Sequence, residues 1–99
     1  VEQGTKNDLQ KLQWHQLPLT AIEAIIEVYM VGAKKYGIDN WKKGFQYSRI
    51  YDATLRHLTS FWKGQDKDEE TGLYHLAQAA WNVITLLWMS INNKGIDDR

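Results

Sequence analysis

The stretch from Gly72 to Asn93 constrains the fold more than any other part of the chain. Leu73, Leu76, Ala77, Ala80, Val83, Ile84, Leu87 and Ile91 recur at helical spacing and form one seam. Tyr74, Trp81 and Trp88, each seven residues from the next, form a second stripe. A helix that is apolar on two sides is buried on two sides. A chain of 99 residues has little interior in which to hide both stripes. The pattern therefore predicts an all-α, three-helix domain that assembles as a homo-oligomeric helical bundle, with this last helix at or near the interface.

Two further helices precede it. The first is predicted over residues 20–36. Thr20 and Glu23 have the spacing of a capping box. Ile22, Ile25, Ile26, Tyr29, Met30, Ala33 and Tyr36 make one broad apolar face, and Gly37 is a suitable stop. Lys34 and Lys35 lie in the last turn, where the helix dipole favours cations. The second helix is predicted over residues 48–63, opened by Ser48 as N-cap. Its Tyr51, Leu55, Leu58 and Trp62 read as one buried seam. The third is predicted over residues 72–93, behind the acidic run of Asp66, Asp68, Glu69 and Glu70.

Residues 1–16 are polar and mixed in charge, and read as an N-terminal arm; residues 17–99 read as a single helical domain. Pro18 limits the backbone ahead of the first helix. The segment NNKGIDDR at the other end reads as a polar end with a glycine break. The loop GIDNWKKGFQY carries Trp41, Phe45 and Tyr47 beside Lys42 and Lys43. Such a loop forms a plug over the core, or stacks a base and holds a phosphate.

Composition narrows the function classes. The formal net charge is zero, so no bulk field draws the chain to a nucleic-acid polymer or a membrane surface. There is no cysteine, which excludes a disulfide framework, a thiolate metal site and a cysteine nucleophile, and which fits a cytoplasmic location. No apolar run is long enough to span a bilayer, and the polar N-terminus does not read as a signal peptide. No Gly-rich phosphate loop and no Ser–His–Asp order are present.

Most of the versatile side chains lie between Ser48 and Ala80. Arg49, Asp52 and Arg56 share one helix face, at spacings of three and four. They form either a solvated salt-bridge ladder or two guanidiniums fixed by one carboxylate and presented to an anion. His57 follows Arg56 directly. The acidic run is either a solvated helix start or a set of hard oxygen ligands for a divalent ion.

The segments GAKKYGIDNWKKG, SRIYDATLRHLTSFWKGQDKDEETGLYHLAQAAWN and KGIDDR closely resemble the phage and bacterial domain described as the N-terminal domain of dATP/dGTP diphosphohydrolases. The chain is also distantly similar to the all-α nucleoside triphosphate pyrophosphohydrolases. The resemblance implies an all-α oligomer, a purine nucleotide ligand and a phage or phage-derived source, hence the cytoplasm of a bacterial host. The pyrophosphohydrolases hold magnesium with carboxylates paired on two helices. This chain departs from them: its last helix has no carboxylate between Gly72 and Ile96, and Gln78 stands where the resemblance implies a second histidine.

Three functions follow. The first is capture of a phosphorylated purine nucleotide, or a nucleotide-derived immune signal, without turnover: a sponge with an anti-defence role and no cofactor. Its cations are Lys34, Lys35, Lys43, Arg49 and Arg56, its stacking surfaces Trp41 and Tyr51, with Tyr36, His57 and His75 completing the candidate contacts. The second is a metal-dependent dATP/dGTP pyrophosphohydrolase using magnesium or manganese. In it Asp52, Glu69, Glu70 and His75 are the candidate catalytic residues, and Asp52 and Glu70 the metal ligands. The third is a helical module that binds a protein. The shortage of helix-borne carboxylates ranks capture first.

Overall fold

The computed structural model describes residues 1–99 and contains three α-helices and no strand. They are α1 (Leu19–Tyr36), α2 (Tyr47–Trp62) and α3 (His75–Asn92), with short 3-10 turns at Trp14–Gln16 and Asn40–Lys43. The polar arm before Trp14 forms no helix. No helix is long and apolar enough to cross a membrane.

Each helix start differs from its sequence expectation, for a local reason. Pro18 is the N-cap of α1, and its carbonyl accepts the Ile22 amide at 3.0 Å. The helix therefore begins at Leu19, Thr20 lies inside the first turn, and the Thr20–Glu23 capping box does not form. Gln46, not Ser48, is the N-cap of α2. Ser48 is instead bonded by Asp98: its amide donates to Oδ1 at 3.0 Å, and its hydroxyl donates to Oδ2. A carboxylate from the far end of the chain thus supplies the acceptors that this helix start lacks locally. The third helix begins at His75 because residues 71–74 are taken by a turn. Gly72 N–H donates to Asp68 O at 2.7 Å, and Asp68 N–H donates to Leu73 O at 2.8 Å.

The C-terminal segment is not a loose end. Ile96 N–H donates to Phe45 O at 3.0 Å, and Tyr47 N–H donates to Ile96 O at 2.9 Å. The contact requires glycine. Gly95 has φ +77°, and a Cβ there would lie 2.5 Å from Phe45 O and 2.9 Å from Met89 Sδ. The tail therefore holds the segment that leads from Trp41 into α2.

Helix α3 packs against both α1 and α2, and most broadly against α2. The large residues of its two stripes mostly exchange roles, although Ala77 of the seam is buried and Tyr74 of the second stripe is exposed. Leu76, Val83, Ile84, Leu87 and Ile91, expected as the core seam, are exposed. The inward face carries His75, Gln78, Asn82, Thr85 and Met89, all buried. Trp81 and Trp88, expected toward a neighbouring copy, turn inward: Trp81 packs on Tyr29, and Trp88 packs on Trp41. On α2 the expected seam is likewise outside, with Trp62 88% exposed and Tyr51, Leu55 and Leu58 exposed. Ile50, Ala53, Thr54 and His57 face inward instead. The small apolar centre is Tyr47, Ile50 and Met89, flanked by Phe45, Leu86 and Trp88.

Candidate functional site

A cavity of about 680 Å³ opens between α1 and α2, with α3 as its floor. Helix α1 brings Tyr29, Lys35 and Tyr36, and the loop brings Asn40, Trp41 and Phe45. Helix α2 brings Arg49, Asp52, Arg56 and His57, and α3 brings Gln78, Trp81 and Asn82. The helical repeat explains the convergence on α2: residues 49, 52, 53 and 56 share one face over about two turns. Positive φ at Gly37 and at Asp39 turns the chain back, so that Trp41 lies against Tyr29 at 5.5 Å between ring centroids. The loop thus plugs the core while Trp41 also contributes to the cavity wall.

The charges in the cavity are not paired off. The ion pairs of the chain are Lys42–Asp39 and Arg99–Asp97, both on the surface. Arg49 and Arg56 make no bond to Asp52, so neither the salt-bridge ladder nor the carboxylate clamp on two guanidiniums forms. Lys35 lies over the Tyr36 ring at 5.2 Å, and the Tyr36 side chain beside it holds its pKa above the usual lysine value. The cavity therefore presents three cations against the single carboxylate of Asp52. On its floor Asn82 is 4% exposed and its side-chain amide bonds no other protein group.

Of the residues singled out from sequence, Lys35, Tyr36, Trp41, Arg49, Asp52, Arg56 and His57 line this cavity together. Lys34, Lys43 and Tyr51 are exposed elsewhere, as are Glu69 and Glu70. His75 is buried behind the wall, where His57 Nδ1 meets its Nδ1 at 2.8 Å. Trp81, read from the sequence as part of an apolar stripe, and Asn82 also line the cavity, though neither was expected as a ligand contact. The available signal was the polar series His75, Gln78, Asn82 and Thr85, at helical spacing inside the most apolar helix.

Behind the histidine pair, His57, Asp68 and His75 bring one donor atom each within 4.8 Å of one another. Burial, and then the neighbouring His75, push the His57 imidazole below its usual pKa, with Asp68 opposing. Burial raises the Asp68 carboxyl, but hydrogen bonds from the Glu70 amide and the Gln78 side chain outweigh it and hold the group below the usual carboxylate range. The magnesium site implied by the resemblance needs several oxygen ligands on rigid elements. Asp52 is the only carboxylate lining the cavity, and neither Asp52 nor Glu70 joins the one group of three donors. Glu23 and Glu27 of α1 are exposed outside the cavity wall. The residues present do not fit an all-carboxylate magnesium site.

Comparison with known proteins agrees with the sequence resemblance. The dATP/dGTP diphosphohydrolase of Salmonella phage PMBT28 is 35% identical over 96 residues, which is 97% of this chain and 33% of that protein. The chain thus spans about a third of the length of this relative. No solved structure matches it. The family model described as dATP/dGTP diphosphohydrolase, N-terminal, matches residues 1–99, and the chain belongs to that family.

Proposed function

We propose that this domain binds a phosphorylated purine nucleotide in the cavity between α1 and α2 and holds it without turnover. One observation carries the reading: Lys35, Arg49 and Arg56 face one cavity with no carboxylate bonded to any of them. Unpaired guanidiniums on a shared wall suit phosphate oxygens, which accept two parallel hydrogen bonds from each. Trp41, Tyr36 and Trp81 offer ring faces to a base. The free amide of Asn82 offers a donor and an acceptor together, the pattern that reads adenine edges. The purine preference comes from the name of the family and of its phage relative. In a phage setting, retention of the ligand amounts to sequestering a nucleotide signal.

A second reading is hydrolysis of dATP or dGTP to a nucleoside monophosphate and pyrophosphate, by this domain or by a longer protein containing it. The His57–Asp68–His75 group beside the cavity favours it, because two imidazoles and a carboxylate are metal ligands. One experiment separates the two. The protein is incubated with dATP or dGTP and manganese, then denatured, and the released material is identified. Intact nucleotide at one per site supports retention. Monophosphate and pyrophosphate in excess over protein establish hydrolysis, and the absence of both bound nucleotide and product refutes both readings.

The domain also acts as a homo-oligomer in this proposal. The chain exposes 8326 Å², against about 5,800 Å² for a compact protein of 11.6 kDa. The polar arm accounts for part of the excess. Exposed apolar side chains contribute as well, among them Leu76, Val83, Leu87 and Ile91 of α3 and Leu55, Leu58 and Trp62 of α2. The whole excess is about 2,500 Å², so the part left after the arm falls within what an obligate homodimer removes from water per partner, about 1,000–2,500 Å². A second copy is the occupant that covers identical apolar faces with each other.

A further inference from the structure

We propose that His57, Asp68 and His75 form a binding site for one divalent first-row transition-metal ion, behind the cavity wall. The site does not depend on the nucleotide reading.

The three donors come from three separate segments. His57 is on α2, Asp68 in the loop after it, and His75 is the first residue of α3. The two imidazole Nδ1 atoms are 2.8 Å apart. Two imidazole nitrogens on one ion, each at 2.0–2.1 Å, stand about 2.9–3.3 Å apart for right-angle to tetrahedral geometry. The pair is therefore close to the spacing that an ion imposes. The Asp68 carboxylate lies within 4.8 Å of both, yet bonds neither imidazole directly. It needs to move inward by no more than about 1.5 Å to complete the set.

Two of the three donors, His75 and Asp68, are already oriented from outside. His75 Nε2 is bonded to Gln65 Oε1 at 2.8 Å. An Nε2–H donating to that oxygen leaves the His75 Nδ1 lone pair directed at His57. Asp68 Oδ1 accepts the Glu70 amide at 2.9 Å, and Oδ2 accepts Gln78 Nε2 at 3.3 Å. Gln78 in turn accepts the Thr71 hydroxyl at 3.4 Å. Ligand histidines bonded through the second ring nitrogen to an oxygen, and ligand carboxylates bonded to amides, are the outer partners that tune metal sites. This arrangement also explains why polar Gln65 and Gln78 are spent here, away from solvent-facing work.

The donor set selects the ion. Two nitrogens and one oxygen suit zinc, manganese, iron, cobalt or nickel, whereas magnesium and calcium prefer all-oxygen sites. Three protein ligands leave at least one position open. Since His57 also lines the cavity, the ion adjoins the proposed nucleotide site.

The test uses the whole chain without nucleotide. The protein is stripped with a chelator and desalted. Zinc and cobalt are then titrated by calorimetry, and metal retained after gel filtration is counted by mass spectrometry. Cobalt also gives visible absorption bands that report its ligand geometry. The expected result is one ion per chain. His57→Ala and Asp68→Asn should each abolish retention, and Gln65→Ala should weaken binding by about tenfold or more. Should His57→Ala fail to fold by circular dichroism, Asp68→Asn and Gln65→Ala decide. Absence of a stoichiometric ion in the parent protein overturns the proposal, as does unchanged affinity in Asp68→Asn and Gln65→Ala. Nucleotide binding by the stripped protein is measured separately, so a failed metal site leaves the cavity reading standing.

Discussion

Arg56→Ala should weaken nucleotide binding about 10- to 150-fold while leaving the helices intact. Arg56 lies on the cavity wall and bonds no carboxylate, so its removal orphans no buried acid. The loss is then the contact itself. A hydrogen bond between a guanidinium and a phosphate is charge-assisted and contributes about 1.5–3 kcal/mol. At about 1.4 kcal/mol per factor of ten, that range gives the stated loss. Arg56 is exposed, so screening favours the lower half for a single bond, and a two-bonded fork favours the upper half. Arg56→Lys keeps the charge and loses the fork, and should fall between parent and Ala variant. Calorimetric titration with dATP and dGTP, with EDTA present, measures the affinities, and far-ultraviolet circular dichroism checks the fold. Affinity should survive the chelator in the parent protein. A protein that binds nucleotide equally well, within about twofold, as parent, Arg56→Ala and Arg49→Ala would refute the assignment of the cavity.

Gly95→Ala should destabilise the chain by about 2–4 kcal/mol in urea unfolding, because it combines a strained positive φ with overlap on Phe45 O and Met89 Sδ; an unchanged midpoint would mean the tail does not dock. The His57 imidazole sits below its free value of 6.5, so the unfolded chain binds more protons as pH falls. That stability is complete above the unfolded value and lost as pH falls through the folded one. In the metal-stripped protein Tm should therefore drop on going from about pH 7.5 to about pH 5, and less so in His57→Gln. Asp97, held at about 2 by the Arg99 side chain, contributes only to a later loss, as pH falls from 3.8 to about 2. Leu87→Glu should shift the chain toward monomer in light scattering, since the exposed apolar seam of α3 would then carry an unpaired charge into the interface. A parent protein that is already monomeric at micromolar concentration would end the homo-oligomer reading.

The three helices were legible from the sequence because periodicity and punctuation are local properties. The 3.6-residue repeat of Ile22, Ile25, Tyr29 and Ala33 needs no tertiary partner to be recognised, and neither does the stop at Gly37, where the chain takes φ +98°. The presence of Arg49 and Arg56 on one face followed from the same repeat. Helix starts were less legible, since their orphan amides can be satisfied from a distance. Asp98 serves Ser48 from fifty residues away, and no local rule anticipates that.

What the tertiary structure alone decided is which stripe of each helix faces in. Periodicity marks a stripe and is silent about its partner. On α3 the apolar seam and the polar series His75–Gln78–Asn82–Thr85 lie on different faces, and either could be turned to α2. The fold turns the polar series inward, where Thr85 meets Tyr29 at 3.0 Å, His75 meets His57, and Gln78 meets Asp68. Buried polar groups are tolerated only when such partners exist. Those partners come from α1, α2 and the acidic loop, so the choice of face could be made only once all four segments were together. The same choice leaves Leu76, Val83, Leu87 and Ile91 outside.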